Sequence, residues 1–164
     1  MYRRYLTQEQ RAPTWLRGPI APMVGRGGFH FLRPTKGEIG RHMERFFMVA
    51  GALAAMIGVI LGAFGAHGLR ERLSPADLEI FEKGAQYQMY HALGLFAVAW
   101  AASRWPSSAT TAAGWLLIVG IVVFSGSLYT LVLTGQRWLG AVTPLGGVAL
   151  IAGWAALAWA ILRA

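Results

Sequence analysis

Residues 46–66 carry no charged side chain. Wound as a helix rising about 1.5 Å per residue, such a run reaches across the ~30 Å hydrocarbon core of a bilayer. Helix is the form a lone apolar segment must take there, because in lipid each backbone N–H and C=O has to find its partner within the segment. Three more apolar runs follow, at about 85–102, 112–133 and 141–162. Together they predict an all-α, polytopic membrane protein with four transmembrane helices at about 46–66, 85–102, 112–133 and 141–162. A cleaved signal peptide is the competing reading of the first run, but Phe64-Gly65-Ala66 lacks the small-x-small pattern of a cleavage site.

The connections fit that count. Ser74-Pro75-Ala76-Asp77 has the form of an N-cap followed by proline at the first helical position and an acid at the third. It predicts a short amphipathic helix over about 75–83, with Leu78 and Phe81 on one face and Glu79, Glu82 and Lys83 on the other, lying on the membrane surface and entering the second span through Gly84. Glu79 and Lys83 stand four residues apart, a spacing that favours pairing. Arg104-Trp105-Pro106-Ser107-Ser108 and Gly135-Gln136-Arg137-Trp138 read as tight loops with an interfacial tryptophan each.

Of the 164 residues, 55% are hydrophobic and 13% charged, which is too apolar for a soluble domain and too short for several. The net charge of +8 resembles a nucleic-acid signal until it is divided along the chain. Arg3, Arg4, Arg11, Arg17, Arg26, Arg33, Lys36 and Arg41 all precede Met43, against Glu9 and Glu38 alone. The basicity belongs to a tail, so nucleic acid is not an expected partner. Two regions follow: a basic tail over 1–42, rich in Arg, Gly and Pro and expected to be disordered, and a four-helix transmembrane domain over 43–164. The tail also admits readings as a polybasic membrane anchor, a targeting segment, or an over-extended start with Met43 or Met48 as the initiator. There is no cysteine, hence neither a disulfide nor a thiolate metal site.

Lipid tails are as apolar as leucine, so helices in a membrane associate through close backbone approach at small residues. Gly51, Ala55, Gly58, Gly62 and Gly65 form such a stripe on the first span, and Gly146, Ala149, Gly153 and Ala156 form another on the fourth. These are the expected helix-packing positions.

With four antiparallel spans, one leaflet collects His67, Gln86, Tyr87, Gln88, Tyr90, His91, Ser125, Ser127, Tyr129 and Thr130. This candidate polar cluster has two readings. It can be a pocket open to one side in which His91, with His67, binds an ion, a proton or a small headgroup. It can also be interhelical hydrogen bonding that fixes the packing. Two histidines without a well-placed carboxylate are too few for a metal site. No nucleophile–base arrangement, H-E-x-x-H pattern or phosphate-cradling glycine loop occurs, so no catalytic residue, metal or cofactor is expected. The favoured function class is a non-enzymatic structural, interaction or accessory bundle, with the bilayer, a second copy or another membrane protein as partner. The alternative is a small transporter or channel component with a polar half-pocket around His91.

Met43-Glu44-Arg45-Phe46, the run Gly62-Ala63-Phe64-Gly65-Ala66-His67-Gly68-Leu69, and Phe81-Glu82-Lys83-Gly84-Ala85-Gln86-Tyr87-Gln88-Met89-Tyr90-His91-Ala92-Leu93 resemble the small membrane proteins of the domain-of-unknown-function 423, or transmembrane protein 256, family. Phe124-Ser125-Gly126-Ser127-Leu128-Tyr129 and Thr143-Pro144-Leu145-Gly146-Gly147 fit the same pattern. The resemblance covers about 43–164. It implies a multi-pass protein of the bacterial inner membrane with no established biochemical activity, and it carries over no functional residues. The basic tail predicts that both termini are cytoplasmic.

Overall fold

The computed structural model describes residues 36–164. The expected disorder, anchor, targeting or start-site role of residues 1–35 lies outside the described residues. Four helices run through the described part: α1 (Lys36–Phe64), α2 (Pro75–Arg104), α3 (Ser108–Thr134) and α4 (Thr143–Leu162). A π-helical turn at Gly65–Leu69 extends α1, and a 3-10 turn at Arg137–Ala141 leads into α4.

The helix ends are set by the local chemistry. Ser74 caps α2, its hydroxyl accepting from the Asp77 N–H at 3.1 Å, with Pro75 following. Ser107 caps α3 in the same way through the Thr110 N–H, and Pro106 fills the turn before it. Gly135 ends α3 in the left-handed conformation at φ 71°, where a side chain would be strained, and its N–H closes on the Leu131 carbonyl at 2.9 Å.

Successive helices pack antiparallel. Gly40 lies by Pro106 and Gly65 by Phe81, which fixes α1 against α2; Gly84 meets Tyr129 and Gly94 meets Leu117 between α2 and α3; Gly146 meets Phe124 and Gly153 meets Leu117 between α3 and α4. Each helix therefore packs on its neighbour in sequence, while the backbones of α1 and α4 do not approach each other closely. The core between them takes Phe47 from α1, Leu95 and Val98 from α2, Leu117 and Ile121 from α3, and Leu150 and Leu157 from α4. A second cluster of Leu69, Phe81, Leu131 and Val132 closes the end where α2 begins.

The outside of the bundle is apolar. Ile151 is 71% exposed, Leu145 67% and Val122 66%, the arrangement of a surface that faces lipid rather than water. Three stretches, Gly40–Leu69, Ser108–Thr134 and Arg137–Leu162, are long and apolar enough to cross a membrane. As a whole helix α2 is less apolar, since Asp77, Glu79, Glu82 and Lys83 begin it and Gln86, Tyr87, Gln88, Tyr90 and His91 follow. Yet α1 and α3 run in the same direction, so the chain between them must return across the bilayer. The interval between Lys83 and Arg104 is free of formal charge and about 30 Å long, which matches the hydrocarbon thickness. Trp100 and Trp105 cross edge to face at one end of this interval, and on the same side Arg163 covers the Trp159 ring at 4.2 Å, as expected of an interfacial belt.

Two boundaries differ from the sequence-based expectation. The separate surface helix at 75–83 does not exist: α2 runs unbroken through Gly84. A Cβ at Gly84 would lie 2.8 Å from Tyr129 Cε1, so this glycine makes room for a neighbouring ring instead of ending a helix, and Phe81 is wholly buried. Residues 36–42, assigned to the tail by composition, are helical. There Gly40 sits against Ala102 and Pro106 and Met43 packs on the core, so tertiary contact holds turns that composition alone does not specify.

Outside the membrane, the Arg137 guanidinium grips both carboxylate oxygens of Asp77 at 2.7 and 3.3 Å, which ties the start of α2 to the α3–α4 connection. The Arg137 hydrogen bonds, followed by that from Ser74, hold the Asp77 carboxyl below its ordinary pKa. A carboxyl depressed in the folded state contributes its stability above its unfolded pKa, ~3.9, and loses it as the pH falls through the folded value. Thermal melts in detergent are therefore expected to show a loss of stability on acidification below about pH 4 that is smaller in Asp77→Asn.

Candidate functional site

The polar residues gathered in one leaflet do not form one cluster. Helical geometry divides them, because residues two apart on a helix point in nearly opposite directions.

Gln88 points inward. It is 5% exposed and uses both ends of its amide: Nε2 donates to the Ala54 carbonyl of α1 at 2.8 Å, and Oε1 accepts from the Tyr129 hydroxyl of α3 at 3.0 Å. One side chain of α2 thus joins two helices that barely meet each other. The Tyr129 ring that completes the bridge packs on Phe81 with centroids 4.9 Å apart.

Gln86 and Tyr90 point outward. Gln86 Nε2 donates to the Tyr90 hydroxyl at 2.8 Å, one turn apart on the exposed face of α2. Tyr87 lies between the two sets, its ring 4.9 Å from Phe124 of α3 and 6.0 Å from that of His91.

His91 is buried and sits between Tyr87 and Trp154 of α4. Its Nδ1 lies 2.6 Å from the Tyr87 carbonyl. A carbonyl only accepts, so Nδ1 is the donor in this contact. His67 is elsewhere: it is exposed on the π-helical turn at the end of α1, close to the level of Phe81, which Gly65 of the same turn faces, and so about 15 Å along the bundle from His91 at the helical rise. The expected pairing of the two histidines in one pocket is not what the fold produces, because α2 begins before the membrane boundary and carries His91 deep into the bundle.

Several α3 hydroxyls bond back to carbonyls of their own helix. Ser127 Oγ donates to the Phe124 carbonyl and meets the Thr143 hydroxyl of α4 at 2.8 Å. Thr130 bonds back to the Gly126 carbonyl. Among the described residues, Ser125, 1% exposed, is the buried side chain left without a hydrogen-bond partner. Among the described residues no group of three or more His, Asp or Glu side chains could hold a metal ion.

The small-residue positions face their neighbours unevenly. Cβ atoms at Gly51 and Gly65 would approach Ala92 O to 2.9 Å and Phe81 Cδ1 to 3.1 Å; at Gly58 the nearest atom is Met89 Cε at 3.5 Å, and Gly62 has nothing among the described residues within 4 Å. Ala55 and Ala149 are half-buried, as is Ala156 on the core. On α4, Gly146 abuts the Phe124 backbone and Gly153 the Leu117 side chain. Sequence reasoning missed the glycines of the middle helices. Gly114 receives the Phe47 ring, Gly120 the Leu150 side chain and Gly94 the Trp154 indole; their signal was glycine inside an otherwise bulky apolar run.

The family model described as "Protein of unknown function (DUF423)" matches residues 61–147. The UPF0382 membrane protein YwdK of Bacillus subtilis (strain 168) is 51% identical over 111 residues, 67% of this chain and 90% of its own length. The chain belongs to this family. A second relative, the UPF0382 membrane protein of Staphylococcus epidermidis (strain ATCC 12228 / FDA PCI 1200), is 52% identical over 119 residues, 73% of this chain and 97% of its own. The matched span takes in every residue of the polar cluster, from His67 to Thr130. No solved structure matches the chain. Like these relatives, which are named as membrane proteins, the chain is an integral membrane protein and its surroundings are the lipid bilayer.

Proposed function

We propose that the chain is a non-enzymatic structural or accessory four-helix bundle, and that its polar leaflet serves to lock the helices together. The observation that carries this reading is the Gln88 bridge, in which the most buried amide of the leaflet has its donor and acceptor engaged by two neighbouring helices. A side chain so engaged is not available to a cargo. The bundle sits in the cytoplasmic (inner) membrane with both termini cytoplasmic, a reading supported by the basic residues that precede α1. Its partner is a second copy or another membrane protein, for which the outward face of α1, packed on α2 alone among the four helices apart from a slight contact with α3, is the open side.

A second reading, a small transporter or channel component, draws on two groups that the packing leaves over among the described residues: the buried Ser125 hydroxyl without a partner and the second ring nitrogen of His91, which no hydrogen bond engages. The two readings part on His91→Ala. As a packing residue, His91 replaced by alanine lowers the melting temperature in detergent and leaves proton and ion flux in liposomes at the protein-free level, as in the wild type. A flux present in the wild type and lost in His91→Ala overturns the structural reading in favour of the second.

A further inference from the structure

The backbones of α1 and α4 do not approach each other closely, and the outer face of α2 lies open between them. On one flank Met89 and Phe96 reach α1 at Gly58 and Gly51; on the other, His91 and Gly94 face Trp154 of α4. Between the flanks one helical stripe stays exposed: Glu79, Lys83, Gln86, Tyr90, Leu93 and Ala97, at alternating steps of four and three. Glu82 stands beside its charged end.

The charged end is not neutralised internally. Glu79 and Lys83 have the spacing for an ion pair, but among the described residues the only salt bridge joins Arg137 and Asp77. Glu79, Glu82, Lys83 and Gln86 line a cavity of about 270 Å³. The stripe then passes to the Gln86–Tyr90 pair, hydrogen bonded at 2.8 Å, and on to the aliphatic Leu93 and Ala97. A helix crossing a bilayer at this point holds its charges at the headgroup level and its aliphatic residues at the level of the acyl chains.

We propose that this stripe binds one phospholipid with an amine-bearing headgroup. The order of chemistry along α2 is the covalent order of such a lipid read from tail to head. Ala97 and Leu93 lie along an acyl chain, Tyr90 and Gln86 meet the ester oxygens, Lys83 meets the phosphate, and Glu82 and Glu79, furthest out, meet the ammonium. A headgroup without an amine leaves two carboxylates facing its phosphate with one lysine between them, a less favourable charge set.

Native mass spectrometry of the full chain, released from detergent containing equimolar phosphatidylethanolamine and phosphatidylglycerol, tests this. The wild type is expected to retain the ethanolamine lipid over the glycerol lipid by about fivefold, the scale of one exposed ion pair. Glu79→Gln with Glu82→Gln is expected to bring the ratio to about one without changing the melting temperature, while Lys83→Gln reduces retention of both lipids. Equal retention of the two lipids by the wild type overturns the proposal, as does a preference that survives the double substitution. A stable dimer that carries no lipid also overturns it, and assigns the open face of α2 to a second copy.

Discussion

Gly146→Ala is expected to cost the bundle about 3 kcal/mol, the upper end of what overpacking one methyl group does, and to open the α3–α4 interface. The added Cβ would lie 2.7 Å from the Phe124 Cα, with the Phe124 amide nitrogen closer still. These are main-chain atoms of a helix, and no rotamer change moves them aside; the two helices must separate. That separation would also pull Thr143 away from Ser127, whose hydroxyls meet at 2.8 Å. Gly126→Ala is the control. Nothing among the described residues lies within 4 Å of the Cβ it would carry, and alanine is the better helix former by about 1 kcal/mol. Thermal melts in detergent should show Gly146→Ala well below the wild type and Gly126→Ala level with it or slightly above. Equal melting of both variants would mean that α3 and α4 are not in contact at this point.

Gln88→Leu is expected to destabilise by about 1–2 kcal/mol, the cost of leaving a buried polar group unpaired inside a membrane bundle. The two lost hydrogen bonds are unequal. The Ala54 carbonyl lies within α1 and keeps its bond along that helix, whereas the Tyr129 hydroxyl loses the only partner it has among the described residues. Most of the penalty should therefore belong to that hydroxyl. Removing it as well, in Gln88→Leu with Tyr129→Phe, is expected to restore most of the stability, because apolar groups replacing both partners of a hydrogen bond leave nothing unsatisfied. If instead the two substitutions add, Gln88 acts through packing and the bridge contributes little.

Some of this was legible in the residues alone. The charge-free interval of α1 and the apolar stretches of α3 and α4 declare their spans, and Ser74-Pro75 declares the start of α2 to the residue. The ends of α1 and the continuity of α2 were not legible, for related reasons. Gly84 reads locally as punctuation, and only the Tyr129 ring beside it shows why it sits mid-helix; Gly40 reads as part of a flexible tail until Pro106 is found against it. The polar leaflet was legible as a level but not as a site. Depth follows from counting residues, whereas the direction a side chain faces depends on how each helix is rotated against its neighbours. Gln86 and Gln88 are chemically identical and two positions apart, yet one faces lipid and the other joins three helices. Nothing near Phe47 in sequence announces that its ring will occupy the space left by Gly114.

The nearest-neighbour order of packing also bears on how the bundle is made. Each helix leans chiefly on the one synthesised just before it, so a nascent chain can complete a hairpin as soon as the next segment leaves the ribosome, and no early helix must wait for the last one to arrive. Chains whose contacts are mostly local assemble quickly and leave little time for misassembly. Biogenesis of this protein can therefore keep pace with translation, one insertion at a time.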